Sequence, residues 1–208
     1  DSDLALQEPY KHHIWVYACA SAIASQVASY ARVLARDKDD NNFIDEHEIL
    51  SLLKSPNQFM DGYSFWESVA LYLLLPDTGR GSNGGQCFII CDSGEDDPRC
   101  ELDRGQIPAA MFPYSSRYVE PIFTTTNKGK SFTGWKWRDP LNSSRTIDYL
   151  PSQVIRINKL NPYSFLDGLS PFIPATMAVG QDVRADIYNT KFFDNGATPG
   201  GVLKSEQY

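Results

Sequence analysis

The stretch SPFIPATMAVGQDVRADIYNTKFFDNG, residues 170–196, decides how this chain is read. Ser170 followed by Pro171 is a helix start: the serine can cap, and proline fits the first turn, where no backbone donor is needed. Asn195 and Gly196 are residue types that tolerate the left-handed conformation just past a helix end. One helix from Pro171 to about Phe193 is therefore expected, a rod about 35 Å long at ~1.5 Å rise per residue. Ile173, Met177 and Gly180 are placed on one side of it, and Val179, Val183 and Ile187 on another.

Immediately upstream the pattern changes period. From residue 76 onward Gly, Asn, Asp and Pro punctuate short β-rich runs. Strands are expected over Gln86–Cys91, Tyr118–Thr124, Ser131–Arg138, Arg145–Tyr149 and Val154–Asn158, with an acidic loop over Asp92–Gly105. Trp135 and Trp137 alternate with polar neighbours, as on a half-exposed strand. Towards the N-terminus the period returns to 3.6. A helix is expected from about Tyr10 to Tyr30, burying Ile23, Val27, Tyr30 and Leu34, with Ser21, Ser25, Gln26 and Ser29 opposite. A polar stretch, Arg36–Asn42, leads to a short helix from about Asp45 to Lys54, stopped by Ser55-Pro56-Asn57. A third helix spans about Gly62–Leu75, with Ser64 as N-cap and Phe65, Trp66, Val69, Ala70 and Leu73 as its apolar stripe. The fold class is α+β: N-terminal helices plus a small mixed or antiparallel sheet, followed by one long helix. No internal repeat is visible.

The 208 residues are 42% hydrophobic and 22% charged. A chain of this length buries about 70% of its unfolded surface and needs no disulfide or metal staple. The net charge of −7 leaves no basic surplus, which argues against tight non-specific binding of DNA through its phosphates. The longest apolar run, Val69–Leu75, is far short of the ~20 residues that span a bilayer. No signal peptide precedes the first helix, the chain does not begin with Met, and no closing element follows Gly200; a piece of a longer protein is expected. Cysteines stand at 19, 87, 91 and 100, without Cys-x-x-Cys spacing. A structural, reduced role is favoured, and a Cys91–Cys100 pair stays open.

Searches for catalytic chemistry fail. Gly79–Gly85 lacks the Lys-Ser/Thr pair of a phosphate loop and precedes a strand instead of a helix. Gly168-Leu-Ser170 lacks the second glycine of a nucleophile elbow, and Ser170 reads as a cap. His12-His13 has no metal-binding frame. No catalytic, cofactor-binding or metal-ligating residue is assigned, and no cofactor is expected. An enzyme site lined by Trp135, Trp137 and the acidic loop is the weakest reading. One motif is more specific. Asp37–Glu48 matches the EF-hand calcium loop, with side-chain oxygens at Asp37, Asp39, Asn41, Asp45 and Glu48, the Phe43 carbonyl and apolar Ile44. Asn42 stands where the turn wants Gly, and there is no second loop. A calcium-binding module at Asp37–Glu48 is the alternative function.

The chain resembles the portal proteins of tailed bacteriophages, in the Hong Kong-type siphophage family. Val16–Val27, His47–Asn57 and Phe65–Leu75 resemble its opening helices. Val154-Ile-Arg-Ile157, Asp167-Gly-Leu-Ser-Pro171, the long helix and Phe192-Phe-Asp-Asn-Gly-Ala197 through Leu203 follow in order. The Gly-rich loop 76–85 and the acidic insertion 92–101 depart from the family pattern. The resemblance implies a portal wing over residues 1–169, a first stem helix over 170–196 and the start of the clip over 197–208. It implies a non-enzymatic subunit of a homo-oligomeric ring of about twelve copies. The ring would sit at the capsid vertex of the virion, assembled in the host bacterial cytoplasm. Its partners would be the major capsid protein, the terminase motor, head-tail connector proteins and double-stranded DNA in packaging and ejection, with no membrane. An acidic subunit suits a conduit, because a strongly basic ring would hold DNA instead of letting it slide. Two apolar faces on the long helix suit packing between neighbours in such a ring; burial inside one domain is the plainer reading.

Overall fold

The structure, a computed structural model, describes residues 8–30, 35–36, 43–44, 47–77, 84–94, 106–127 and 129–196. Its centre is strand β3 (Gln86–Asp92). This run lacks polar alternation, and both of its faces are covered, as in the middle of a sheet. It pairs antiparallel with β4 (Ala110–Ser115) on one side and β8 (Val154–Asn158) on the other. A second antiparallel sheet is made of β5 (Val119–Thr126), β6 (Gly129–Arg138) and β7 (Thr146–Tyr149). The α+β class holds, with two three-stranded sheets where one was expected.

Alternate side chains of β3 serve two cores. Cys87, Ile89 and Cys91 meet Met111 of β4, Leu52 of α3 (Glu48–Lys54), and Phe65 and Val69 of α4 (Gly62–Leu74). Phe88 and Ile90 point the other way and join Val154, with Val119 and Trp135 of the second sheet. The order of layers is therefore helices, sheet, sheet. Trp135 stacks edge-on against Phe88 at 4.9 Å and Phe132 at 5.0 Å, and Trp137 against Tyr114 at 5.5 Å. The period-2 reading of a half-exposed strand agrees with the burial of β6, which is exposed over residues 129–133 and covered at Trp135. Trp135 is buried, because the other sheet covers it. Trp135 fills this core and Trp137 packs against it, while most of the acidic loop read beside them lies outside the described residues.

Strand β4 escapes a reading from propensity because Pro113 sits inside it. Proline is tolerated there because β4 is an edge strand, where one backbone donor can be spared. At the helix starts the caps differ from expectation. Asp61, not Ser64, caps α4, accepting from the Ser64 N–H at 2.8 Å, and this bond holds its carboxyl below the usual range. Helix α3 begins three positions later than expected, with His47 Nδ1 accepting from the Ile49 N–H at 3.2 Å. The calcium motif falls mostly outside the described residues. What is described differs from a helix–loop–helix: Ala35–Arg36 (β1) pairs antiparallel with Phe43–Ile44 (β2), so a strand, not a helix, enters the loop.

Cys87 and Cys91 share one buried face of β3 and are free, while Cys100 lies outside the described residues. Burial pushes the Cys87 thiol up to about 12 and raises Cys91 as well. Both should resist alkylation in the native protein and react only after unfolding, whereas exposed Cys19 should label at once; mass spectrometry of the alkylated protein checks this. In the folded state the Cys87 thiol keeps its proton beyond the ordinary value of 9.0. The stability linked to it is complete below that pH and is lost as pH rises from 9.0 towards about 12. The melting temperature should fall across that window.

Candidate assembly surface

The candidate surface comprises the root and flanks of the C-terminal helix. Its root is a backbone crossing. Gly84 and Gly85, both at positive φ, lie against the 168–170 segment. A Cβ on Gly85 would stand 2.5 Å from the backbone of Leu169 and Ser170, and one on Gly168 would run into the Gly85 carbonyl oxygen. Only glycine permits this approach. Around it, Lys159 N–H donates to Gly85 O at 2.8 Å, and Asn161 Nδ2 donates to Gly168 O at 3.3 Å. Arg156 of β8 donates to the Phe165 and Leu166 carbonyls and to Gln86 Oε1, and its guanidinium lies 5.9 Å from the Trp135 ring. Ser170 is fully buried; its hydroxyl donates to the Leu74 carbonyl at the end of α4 and accepts from the Phe172 N–H.

Ser170 thus organises the turn, but the α-helix does not start at Pro171. Ile173–Ala175 form a short 3-10 turn, and helix α5 runs over Thr176–Asp194. Pro174 explains the delay: it lacks a donor, and its ring would collide with the carbonyl four residues back. The rod is accordingly shorter, about 29 Å at ~1.5 Å per residue. Its far end is as read, with Asn195 as C-cap and Gly196 at φ 67°.

Along α5, Val179, Gly180, Val183 and Ile187 face the body and are the better-covered positions. Gly180 belongs to this stripe and not with Met177, which is 80% exposed. Tyr188, Phe192 and Phe193 are exposed too. One polar contact ties the flank of the rod to the body: Asp182 Oδ2 lies 3.1 Å from Nε2 of buried His13. His13 Nδ1 is buried with no partner among the described residues.

His13 marks the joint between α1 (Pro9–His12) and α2 (Ile14–Tyr30), where one continuous helix was expected. The buried face of α2 is also different. Val16, Ala20, Ala24 and Ala28 are inside, while Ile23, Val27 and Tyr30 are exposed, and Leu34 lies outside the described residues. The reason is packing distance: small side chains let α2 lie close on α4, so the alanine face wins over the larger side chains. The 17 residues of α2 contain no charged side chain. With Ile14, Trp15 and Tyr17 exposed as well, α2 presents apolar surface on the side turned from the body. An apolar groove of about 300 Å³ runs between this face and the root, lined by Trp15, Cys19, Ile23, Leu75, Phe172 and Val179. The charge-free run was legible in the sequence; its exposure was not.

None of the described residues gather into a group of three or more potential metal ligands. His12 lies 4.0 Å from Glu8, and His13 serves Asp182. No helix among the described residues is long and apolar enough to cross a membrane.

An α+β body followed by a long C-terminal helix agrees with the fold that the resemblance implied, and the glycine crossing at its root is a feature of the loop that departs from the family pattern. The phage portal protein family matches residues 15–208, and the chain belongs to that family. Among solved structures, the neck of an empty GTA particle computed with C6 symmetry superposes with a TM-score of 0.68 at 18% identity, over 97% of this chain and 48% of that one. The neck of a native GTA particle computed with C12 symmetry gives 0.66 at 16% identity, over 98% and 51%. The virion of a native gene transfer agent particle gives 0.67 at 17%, over 98% and 51%. The chain spans about half the length of these structures. Comparison with curated proteins gives no match.

Proposed function

We propose that this chain is a structural, non-enzymatic subunit of a ring at the capsid vertex of a tailed phage or phage-like particle. Residues 1–169 form the wing, residues 170–196 supply the first stem helix, and residues 197–208 begin the clip. Copies of the chain, about twelve, surround a channel through which double-stranded DNA is packaged and ejected. The ring docks the terminase motor, the capsid protein and the connector. One observation carries the reading: helix α5 is rooted firmly at one end, yet among the described residues most of its length and the outer face of the neighbouring charge-free α2 have no cover. Surface of that kind marks an interaction site. Family membership and the fold shared with a C12-symmetric neck support a ring of copies as the cover.

The native mass of the protein, measured together with class averages of negatively stained particles, tests this. Rings of about twelve subunits with a central hole are expected. A protein that remains monomeric at all concentrations, alone and with its capsid partner, would overturn the proposal.

A further inference from the structure

Charge is distributed unevenly around α5. Asp182 and Asp186 stand one turn apart on one flank, a like-charged pair that an isolated helix does not favour. Arg184 and Lys191 occupy the opposite flank, about 170° away at 3.6 residues per turn. All four are exposed on the chain by itself, and Asp182 has only His13 as partner among the contacts described. The acidic flank borders an open cleft of about 570 Å³ between the helix and residues 12–15, lined by His13, Trp15, Asp182 and Asp186. Two carboxylates beside an indole are a cation-binding surface, suited above all to a guanidinium. Arg184 has no acidic residue three or four positions away on its own helix.

We propose that the cleft receives Arg184 of a second copy of this chain. The inference rests on the ring reading and deepens it by naming the contact. Ring closure is heterologous, so each copy must offer two different, complementary surfaces. For parallel rods in a twelve-membered ring those surfaces are separated by about 150°, close to the angle between the two flanks of α5. Cyclic symmetry also puts neighbouring copies at one height when the rods follow the ring axis. Arg184 then lies midway between the levels of Asp182 and Asp186, about 3 Å from each along the axis at ~1.5 Å per residue. Its planar fork can bridge both carboxylates, in a contact less exposed to solvent than a surface pair. Asp182 keeps one oxygen for His13 and has the other for the neighbour.

The test uses two variants, Arg184→Glu and Asp186→Arg, with Asp182 left intact because it holds His13. Assembly is followed by mass photometry against protein concentration, and folding by circular dichroism and melting temperature. The wild type should form rings, and each variant alone should need about tenfold more protein to reach half-assembly. Mixed in equal amounts, the two should regain rings. The glutamate introduced in the first variant meets the arginine introduced in the second, and the intact Arg184 of the second meets the intact cleft of the first. Misfolding cannot produce that rescue. Variants that assemble like the wild type would overturn the contact and leave the ring reading standing, with the flanks covered by another part of the particle. Folded variants that fail to assemble even when mixed would overturn it too. A wild type that forms no ring under any condition removes the ring reading and this contact together.

Discussion

Gly85→Ala should cost about 3 kcal/mol or more, because two penalties add there: a side chain at positive φ and overpacking against a neighbour that cannot yield. The new Cβ would meet the Leu169 and Ser170 backbone at 2.5 Å, and backbone cannot rotate out of the way as a flexible side chain can. Gly168→Ala should carry the overpacking penalty alone, since its Cβ would meet Gly85 from the other side of the same crossing but its φ is not positive. Gly129 is the control. Its φ is also positive, but nothing lies within 4 Å, so alanine there should cost only the backbone strain, about 1 kcal/mol. Urea unfolding midpoints of the three variants provide the comparison. Equal losses at Gly85 and Gly129 would mean that the crossing does not bear on stability.

Phe88→Ala should be at least as damaging. Phe88 is 2% exposed and sits where the two sheets meet, in contact with the Trp135 ring. Truncation leaves a cavity between layers that are each pinned by their own hydrogen-bond ladders and so collapse poorly. A loss of about 3–5 kcal/mol is expected, including the edge-to-face contact. Leu141, 98% exposed, should lose almost nothing on the same change. If Phe88→Ala melts within a degree or two of the wild type, the sheets do not share a cooperative core.

Much of this architecture was readable because the decisive signals are local. Strand β8 falls where Val154–Asn158 was expected, and β3 differs by one residue. The C-terminal end of α5 was set by Asn195-Gly196, whose chemistry acts on its own backbone. What could not be read depends on partners distant in sequence. Which face of α2 is inside depends on how closely α4 approaches, and Ile23 and Val27 look more buriable than Ala24 until that distance is known. The delayed start of α5 was in principle local, since Pro174 is visible, but Ser170-Pro171 offered a stronger start signal. The assembly surface was half legible: spacing showed apolar residues on α5, but only the fold shows that the acidic flank borders a cleft beside Trp15 and His13. The packing of Trp135 and Trp137 between the sheets was equally illegible, because it depends on Phe88 and Tyr114 from another sheet.

The proline in β4 has a consequence beyond strand assignment. Met111 directs its N–H outward, to Pro56 O at 2.8 Å, and its carbonyl outward, to Asn57 Nδ2 at 2.8 Å. Alternate residues of a strand share that direction, so Pro113 turns its missing donor to the same outer side. The edge of this sheet is therefore plugged at one rung and blank at the next. An extended peptide, or the same strand of another copy, finds no continuous template along it. At this edge, growth by strand addition, the usual route from an open sheet to a fibre, is closed by the chain's own backbone.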